Sequence, residues 1–212
     1  MRRADLTVEA VVFDIGNVLI GWNPESFYDG RLGSATRQRM WAETGIEAMN
    51  ASVDDGAPFQ ATVQALADKH PEWGAEILWW HDHWIEMASP RIEGSIALLR
   101  TLRAKGVPVF ALTNFGDDSF TYAQSQYDFL AEFDRAYVSA RLGVSKPDAG
   151  IYAVLETDSG VPPERLIFAD DKPENVASAI ARGWKGHVFN GWQGWAERLV
   201  AEGLLTQSEA GL

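Results

Sequence analysis

The chain has 212 residues, 46% hydrophobic and 23% charged. That is the balance of a globular domain with room for one insertion, and it excludes disorder, collagen and a coiled-coil rod. The absence of cysteine removes disulfides, thiolate metal centres and cysteine nucleophiles. A formal net charge of -12 repels nucleic acid and anionic membrane, so a site for an anion must be built locally.

The opening MRRADLTVEA carries two arginines and no apolar stretch, unlike a signal peptide. No apolar run approaches the roughly 18 residues that span a bilayer. A cytoplasmic protein is expected, with no nucleic-acid or membrane partner, as a monomer or homodimer. Short apolar runs at residues 8–13, 107–112, 135–138, 166–169 and 186–189 lack strict alternation, as strands buried on both faces of a parallel sheet do. Between residues 21 and 89 no strand is expected. Helical patterns fill that stretch at 32–49, 58–69 and 71–87, with a loop at 50–57. Trp73, Ile77, Trp80, Trp84 and Met87 recur there at 4-3-4-3 spacing, one face of a helix. Further helices are expected at 91–105, after Asp117 with Phe120, Ala123, Tyr127 and Leu130 inward, from Pro173 to Gly183, and at 192–201. The alternation predicts an α/β fold, a doubly wound, Rossmann-like parallel sheet. Residues 1–20 and 90–212 would form its core and residues 21–89 an inserted helical cap.

Polar residues stand where those strands end. The first strand runs into Asp14, the second into Thr113 and Asn114, and the fourth into Asp170 and Asp171. Lys146 precedes Pro147 in the loop after the third. Residues just past parallel strand ends share the sheet edge at which ligands bind. Three carboxylates there repel one another unless a cation sits among them, and a hard dication such as Mg²⁺ takes oxygen ligands. Lys146 and the Thr113 hydroxyl can hold an anion, and Asp14 can attack phosphorus. Gly16 permits a tight turn that exposes a carbonyl. Singly, each residue reads as a turn, cap or solvated group; together and in this order they read as a site.

The quartet FDIGNVLI, ALTN, SKP and FADDKPEN resembles the haloacid dehalogenase superfamily over almost the whole chain, and the insertion resembles the C1 cap of its subfamily I. The resemblance implies a Mg²⁺-dependent phosphomonoester hydrolase acting on a small phosphorylated metabolite, a sugar phosphate among the candidates, because the DxGNV form is similar to the sugar-1-phosphate phosphatase branch. It implies Asp14 as the nucleophile that becomes an aspartyl-phosphate. Thr113 and Lys146 would assist catalysis, and Thr113, Asn114 and Lys146 would bind substrate. Asp14, the Gly16 carbonyl and Asp171 would hold the metal, with Asp170 direct or through water. Family phosphatases usually carry an acid two residues after the nucleophile; here that position is Gly16, so a slow enzyme, a good leaving group or an acid borrowed from the cap is expected. The alternatives are a 2-haloacid dehalogenase, against which the acidic pair Asp170–Asp171 argues, and a degenerate metabolite-binding protein.

Secondary candidates lie in the insertion or, for Arg91, just after it. His81 and His83 sit two apart in WWHDHW and point apart on a helix, so at most one faces the crevice. Arg31, Arg37, Arg39 and Arg91 are alternative anion contacts, or plain surface ion pairs. Trp73, Trp80 and Trp84 are expected to pack the cap, Trp79 to line a mouth or form a patch, and Trp22 to sit at the hinge.

Overall fold

The computed structural model describes residues 7–212. The arginines at positions 2 and 3, and the first six residues of the expected core segment, lie outside the described residues. Five parallel strands form one sheet: β1 (Ala10–Phe13), β2 (Val109–Thr113), β3 (Arg135–Val138), β4 (Leu166–Asp170) and β5 (Lys185–Val188), in the order β3-β2-β1-β4-β5. Each falls within about two residues of its expected position. The three central strands are buried throughout, which is why they read as unbroken apolar runs. Period-2 geometry sorts their side chains onto two cores. Val11, Phe13, Ile167 and Ala169 face one, and Ala10, Val12, Leu166 and Phe168 the other.

Helices cover both faces, as in a doubly wound fold. Between β1 and β2 lie α1 (Pro24–Leu32), α2 (Ser34–Thr44), α3 (Ile46–Asp54), α4 (Phe59–Lys69), α5 (Gly74–Asp82), α6 (Trp84–Met87) and α7 (Glu93–Ala104). After β2 come α8 (Asp117–Gln126), α9 (Ser139–Leu142), α10 (Ala149–Ser159), α11 (Pro173–Ala181) and α12 (Trp192–Ala201). On α7, Ile96, Leu99 and Leu102 are buried, and Gly106 stops the helix at φ 75°, a left-handed conformation that glycine adopts freely. Pro173 opens α11, where its missing N–H would be unpaired anyway. No helix among the described residues is long and apolar enough to cross a membrane.

The insertion differs from expectation in its breaks. The single helix expected at 32–49 is interrupted at Gly33 and Gly45, which take φ of 78° and 69°. Each glycine ends one helix by donating its N–H back, Gly33 to Asp29 and Gly45 to Trp41. The expected loop at 50–57 is instead helical to Asp54, where Asn50 Nδ2 donates to the Asp54 carboxylate one turn on. The helix expected at 71–87 starts as a 3₁₀ turn (Pro71–Trp73) and breaks at His83, with φ -115° and ψ 19°. Trp73, Ile77, Trp80, Trp84 and Met87 are nevertheless all buried, so the apolar stripe survives the break. The helix after Asp117 ends at Gln126, leaving Leu130 in a 3₁₀ turn. An unanticipated helix, α1, has Asn23 as cap, its Oδ1 accepting the Ser26 N–H, and Pro24 in its first turn.

One packing contact gives a stability prediction. A Cβ on Gly94 would fall 2.2 Å from the Trp192 ring. Helix propensity alone favours Gly94→Ala by about 0.5–1 kcal/mol, but overpacking costs about 1–3 kcal/mol. A net loss is expected in urea unfolding of Gly94→Ala; a gain would show that the ring moves aside freely.

Candidate active site

β1 and β4 are neighbours, paired Phe13 with Ala169, so the residues after them stand side by side. The Asp14 N–H donates to the Ala169 carbonyl across the pair, and β2 ends alongside at Thr113. The chain reverses its direction of travel along the sheet between β1 and β4. A parallel sheet opens a crevice at such a point.

Three buried charges occupy that edge. Lys146 Nζ lies 2.9 Å from Asp14 Oδ1 and 2.7 Å from Asp170 Oδ2, with side-chain exposures of 1%, 10% and 0% for lysine and the two acids. Burial pushes the Asp14 carboxyl well above its ordinary range; the Lys146 ammonium opposes this and the Asp170 charge adds to it. For Lys146 burial alone would favour the neutral amine, but Asp14 and Asp170 outweigh it and keep the ammonium charged.

Each partner is itself held. Asn114 clamps the Lys146 backbone, Oδ1 accepting its N–H at 2.8 Å and Nδ2 donating to its carbonyl at 2.9 Å. Asn114 lines the cavity, yet both ends of its amide are engaged with residue 146. Asp170 accepts from Lys146 Nζ, the Lys172 N–H and Asn175 Nδ2. Asp14 Oδ1 also takes the Ile15 N–H at 2.7 Å.

The rim of the edge faces open space. Asp14, Gly16, Thr113, Asn114, Lys146 and Asp171 line one cavity of about 450 Å³, within the range of small-molecule sites. Ligand oxygens of Asp14, Asp170 and Asp171 lie within 4.8 Å of one another. With the Gly16 carbonyl on the same wall, the donors are all hard oxygens, a set that fits a magnesium ion. Asp170 differs from the others because its oxygens already accept four hydrogen bonds; a direct metal bond there requires a donor to leave.

Asn17 escaped the sequence reading. It sits at φ 56°, a left-handed conformation that asparagine tolerates. Its Nδ2 donates to Asp171 at 2.9 Å and its Oδ1 accepts the Trp22 N–H at 2.9 Å, tying the acid to the start of the insertion. An asparagine directly after glycine in a strand-end loop was the available signal. The opposite wall comes from the insertion: Glu47, Asn50 and Asp54 along α3 and Asp55 at its C-cap, with Trp22 and Trp84, while Phe115 comes from the core. The α3 end is fastened to the sheet edge by Ser139 Oγ on the Asp54 carbonyl (2.6 Å) and Ser145 Oγ on Asp55 Oδ1 (2.5 Å). Trp22, Glu47 and Asn50 also line an adjoining cavity of about 320 Å³ with Trp41 and Trp80.

The secondary candidates stand elsewhere. His81 Nδ1 meets Asp82 and His83 Nδ1 meets Glu86, and neither ring lines the cavity. Arg31 pairs with Glu86, Arg37 with Asp29, Arg39 with Glu43 and Arg91 with Glu93. Trp79 packs on Phe27 and Tyr28 and lines neither of the two cavities.

A family model described as haloacid dehalogenase-like hydrolase matches residues 8–183. The chain is 26% identical over 190 residues to drimenol cyclase drtB of Aspergillus calidoustus, covering 86% of this chain but spanning only 34% of that protein. It is 29% identical over 185 residues to sesquiterpene phosphatase astK of Aspergillus oryzae, covering 85% of this chain and 89% of that one. A haloacid dehalogenase family enzyme of Bacteroides thetaiotaomicron is similar in structure, with a TM-score of 0.74 at 19% identity, over 91% of this chain and 98% of that one. The wild-type form of that enzyme has been crystallised with magnesium and inorganic phosphate.

Proposed function

The chain belongs to the haloacid dehalogenase-like hydrolases, and from that premise we propose that it hydrolyses a phosphomonoester of a small metabolite through an aspartyl-phosphate on Asp14. The observation that carries this reading is the Asp14–Lys146–Asp170 cluster at the floor of a cavity, with Asp171 and Gly16 on its wall. An ammonium fixed beside a buried carboxylate orients that carboxylate as a nucleophile and also attracts a phosphate.

Asp14 attacks phosphorus, the bond to the organic oxygen breaks, and water then displaces phosphate from Asp14. Lys146 and the Thr113 hydroxyl hold phosphoryl oxygens, and Asn114 positions Lys146 through its backbone. Asp14, the Gly16 carbonyl and Asp171 would hold Mg²⁺, with Asp170 contributing its charge through water. Magnesium held there would supply positive charge against the negative charge of the phosphoryl oxygens. Residues 21–89 serve as a cap over a core whose described part is residues 7–20 and 90–212, and α3 brings cap side chains to the cavity.

The organic part lies against Trp22, Trp84 and Phe115, which suit a sugar ring or an apolar chain. The continuation of the aromatic wall toward Trp41 and Trp80, and the likeness to a sesquiterpene phosphatase, favour the apolar chain as the second reading. Phosphate release from hexose 1-phosphates and prenyl phosphates, with magnesium or with chelator, tests both. Metal-dependent release from one class is expected. Halide release from 2-chloropropionate that persists in chelator would replace this reading with a dehalogenase.

A further inference from the structure

Cleavage of an alkyl phosphate expels an alkoxide that needs a proton, and hydrolysis of the resulting phosphoenzyme needs a base for water. Gly16 carries no acid; a Cβ built there meets nothing within 4 Å. Apart from Asp14, four carboxylates line the cavity: Glu47, Asp54, Asp55 and Asp171. Glu47 and Asp55 are exposed, and Asp55 is bonded to Ser145. Asp171 belongs to the metal edge and is bonded to Asn17.

Asp54 is of a different kind. It is half-buried at the last turn of α3, on the cap wall that faces the sheet edge. Its carbonyl is fixed by Ser139 Oγ and its carboxylate by Asn50 Nδ2. The Gly116 N–H, two residues past Asn114, stands on the side of that carboxylate and favours its charged form. The approach is close, since a Cβ on Gly116 would lie 2.5 Å from the neighbouring Val53 side chain. The cap acid thus stands against the loop that follows Thr113 and carries Asn114.

We propose that Asp54 is the proton donor to the leaving oxygen and then the base that activates water, an inference that rests on the phosphatase reading above. In the first step an Asp14 oxygen bonds to phosphorus and the phosphorus–oxygen bond to the alcohol breaks. The proton of Asp54 passes to the departing oxygen, giving the free alcohol. In the second step water bonds to phosphorus, its proton goes to the Asp54 carboxylate, and the bond to Asp14 breaks to give phosphate. Both acids return to their starting forms. The charge environment supports this role. Burial, aided by the adjacent Asp55, lifts the Asp54 carboxyl to about 7, against the opposing pull of Lys172 and the Gly116 N–H. A group poised there both gives and takes a proton at neutral pH.

The test compares an alkyl phosphate with p-nitrophenyl phosphate, whose leaving group departs as an anion. For Asp54→Asn, kcat on the alkyl ester should fall about 10²–10⁴-fold. With p-nitrophenyl phosphate the same variant should release a burst of one equivalent of nitrophenol, followed by slow turnover, because only the second step has lost its base. Adding Gly16→Asp to Asp54→Asn should recover at least tenfold on the alkyl ester. Asp54→Ser keeps a short polar side chain at the end of α3 and repeats the comparison if the asparagine variant fails to fold. Equal losses on both esters without a burst, or unchanged turnover of the alkyl ester, would overturn the proposal. If the unaltered protein releases phosphate from neither ester, it is the phosphatase reading itself that falls.

Discussion

Replacing Asp14 with asparagine should lower phosphate release at least about 10⁴-fold, as loss of a covalent nucleophile does, while leaving the fold intact. The amide keeps an oxygen for the Ile15 N–H and for Lys146. It also removes a charge that the native state carries at a disadvantage. The folded carboxyl is held above its ordinary value of 3.8, chiefly by burial. A group raised on folding contributes stability below its unfolded pKa and loses it as pH rises through the folded one. In metal-free buffer, Asp14→Asn should therefore gain on the unaltered protein as pH climbs from 5 to 8. Urea midpoints across that window give the sign. A variant that is inactive and also destabilised at pH 8 would mean that the carboxylate holds the site together, and its inactivity would then say little about attack.

Lys146→Met should do the opposite to stability. It leaves Asp14 and Asp170 buried within reach of each other without the ammonium that separates them. Breaking a buried pair by removing one partner costs about 3–5 kcal/mol. The thioether also cannot hold a phosphate, so activity should vanish with it. Adding Asp14→Asn to Lys146→Met should recover part of the stability, because the remaining Asp170 keeps its bonds from Asn175 and the Lys172 N–H. Denaturant unfolding of the two single variants and the double variant measures that coupling. Strict additivity would show that Asp14 and Lys146 do not feel each other.

These effects were largely legible before the fold was known. Strands buried on both faces carry no polar residue until they end, so the first polar residues after residues 8–13, 107–112 and 166–169 mark the sheet edge. Lys146 was legible by its place before Pro147 in the loop after the third run. The amphipathic stripe through Trp73 and Trp84 was legible too, because side-chain periodicity outlasts small breaks in the helix. The breaks themselves were not. Gly33 and Gly45 sit in a helical pattern that tolerates glycine, and only packing sent them to positive φ. His83 interrupts its helix with no local signal at all.

The amino-acid sequence by itself determined the parallel sheet, the helical insertion and the residues standing at the strand ends, since hydrophobic period and strand termini are local properties of the chain. Tertiary structure alone decided that Asn17 joins Asp171 to Trp22, and that Asn114 grips the backbone of Lys146. It alone brought Asp54 to the wall facing Asp14. The two contacts join residues 154 and 32 positions apart, and the shared cavity brings together residues 40 apart; no local pattern encodes a side chain's neighbours across such separations. The first two follow from the pairing of the strands that carry these loops, and the place of Asp54 from how α3 docks beyond β3.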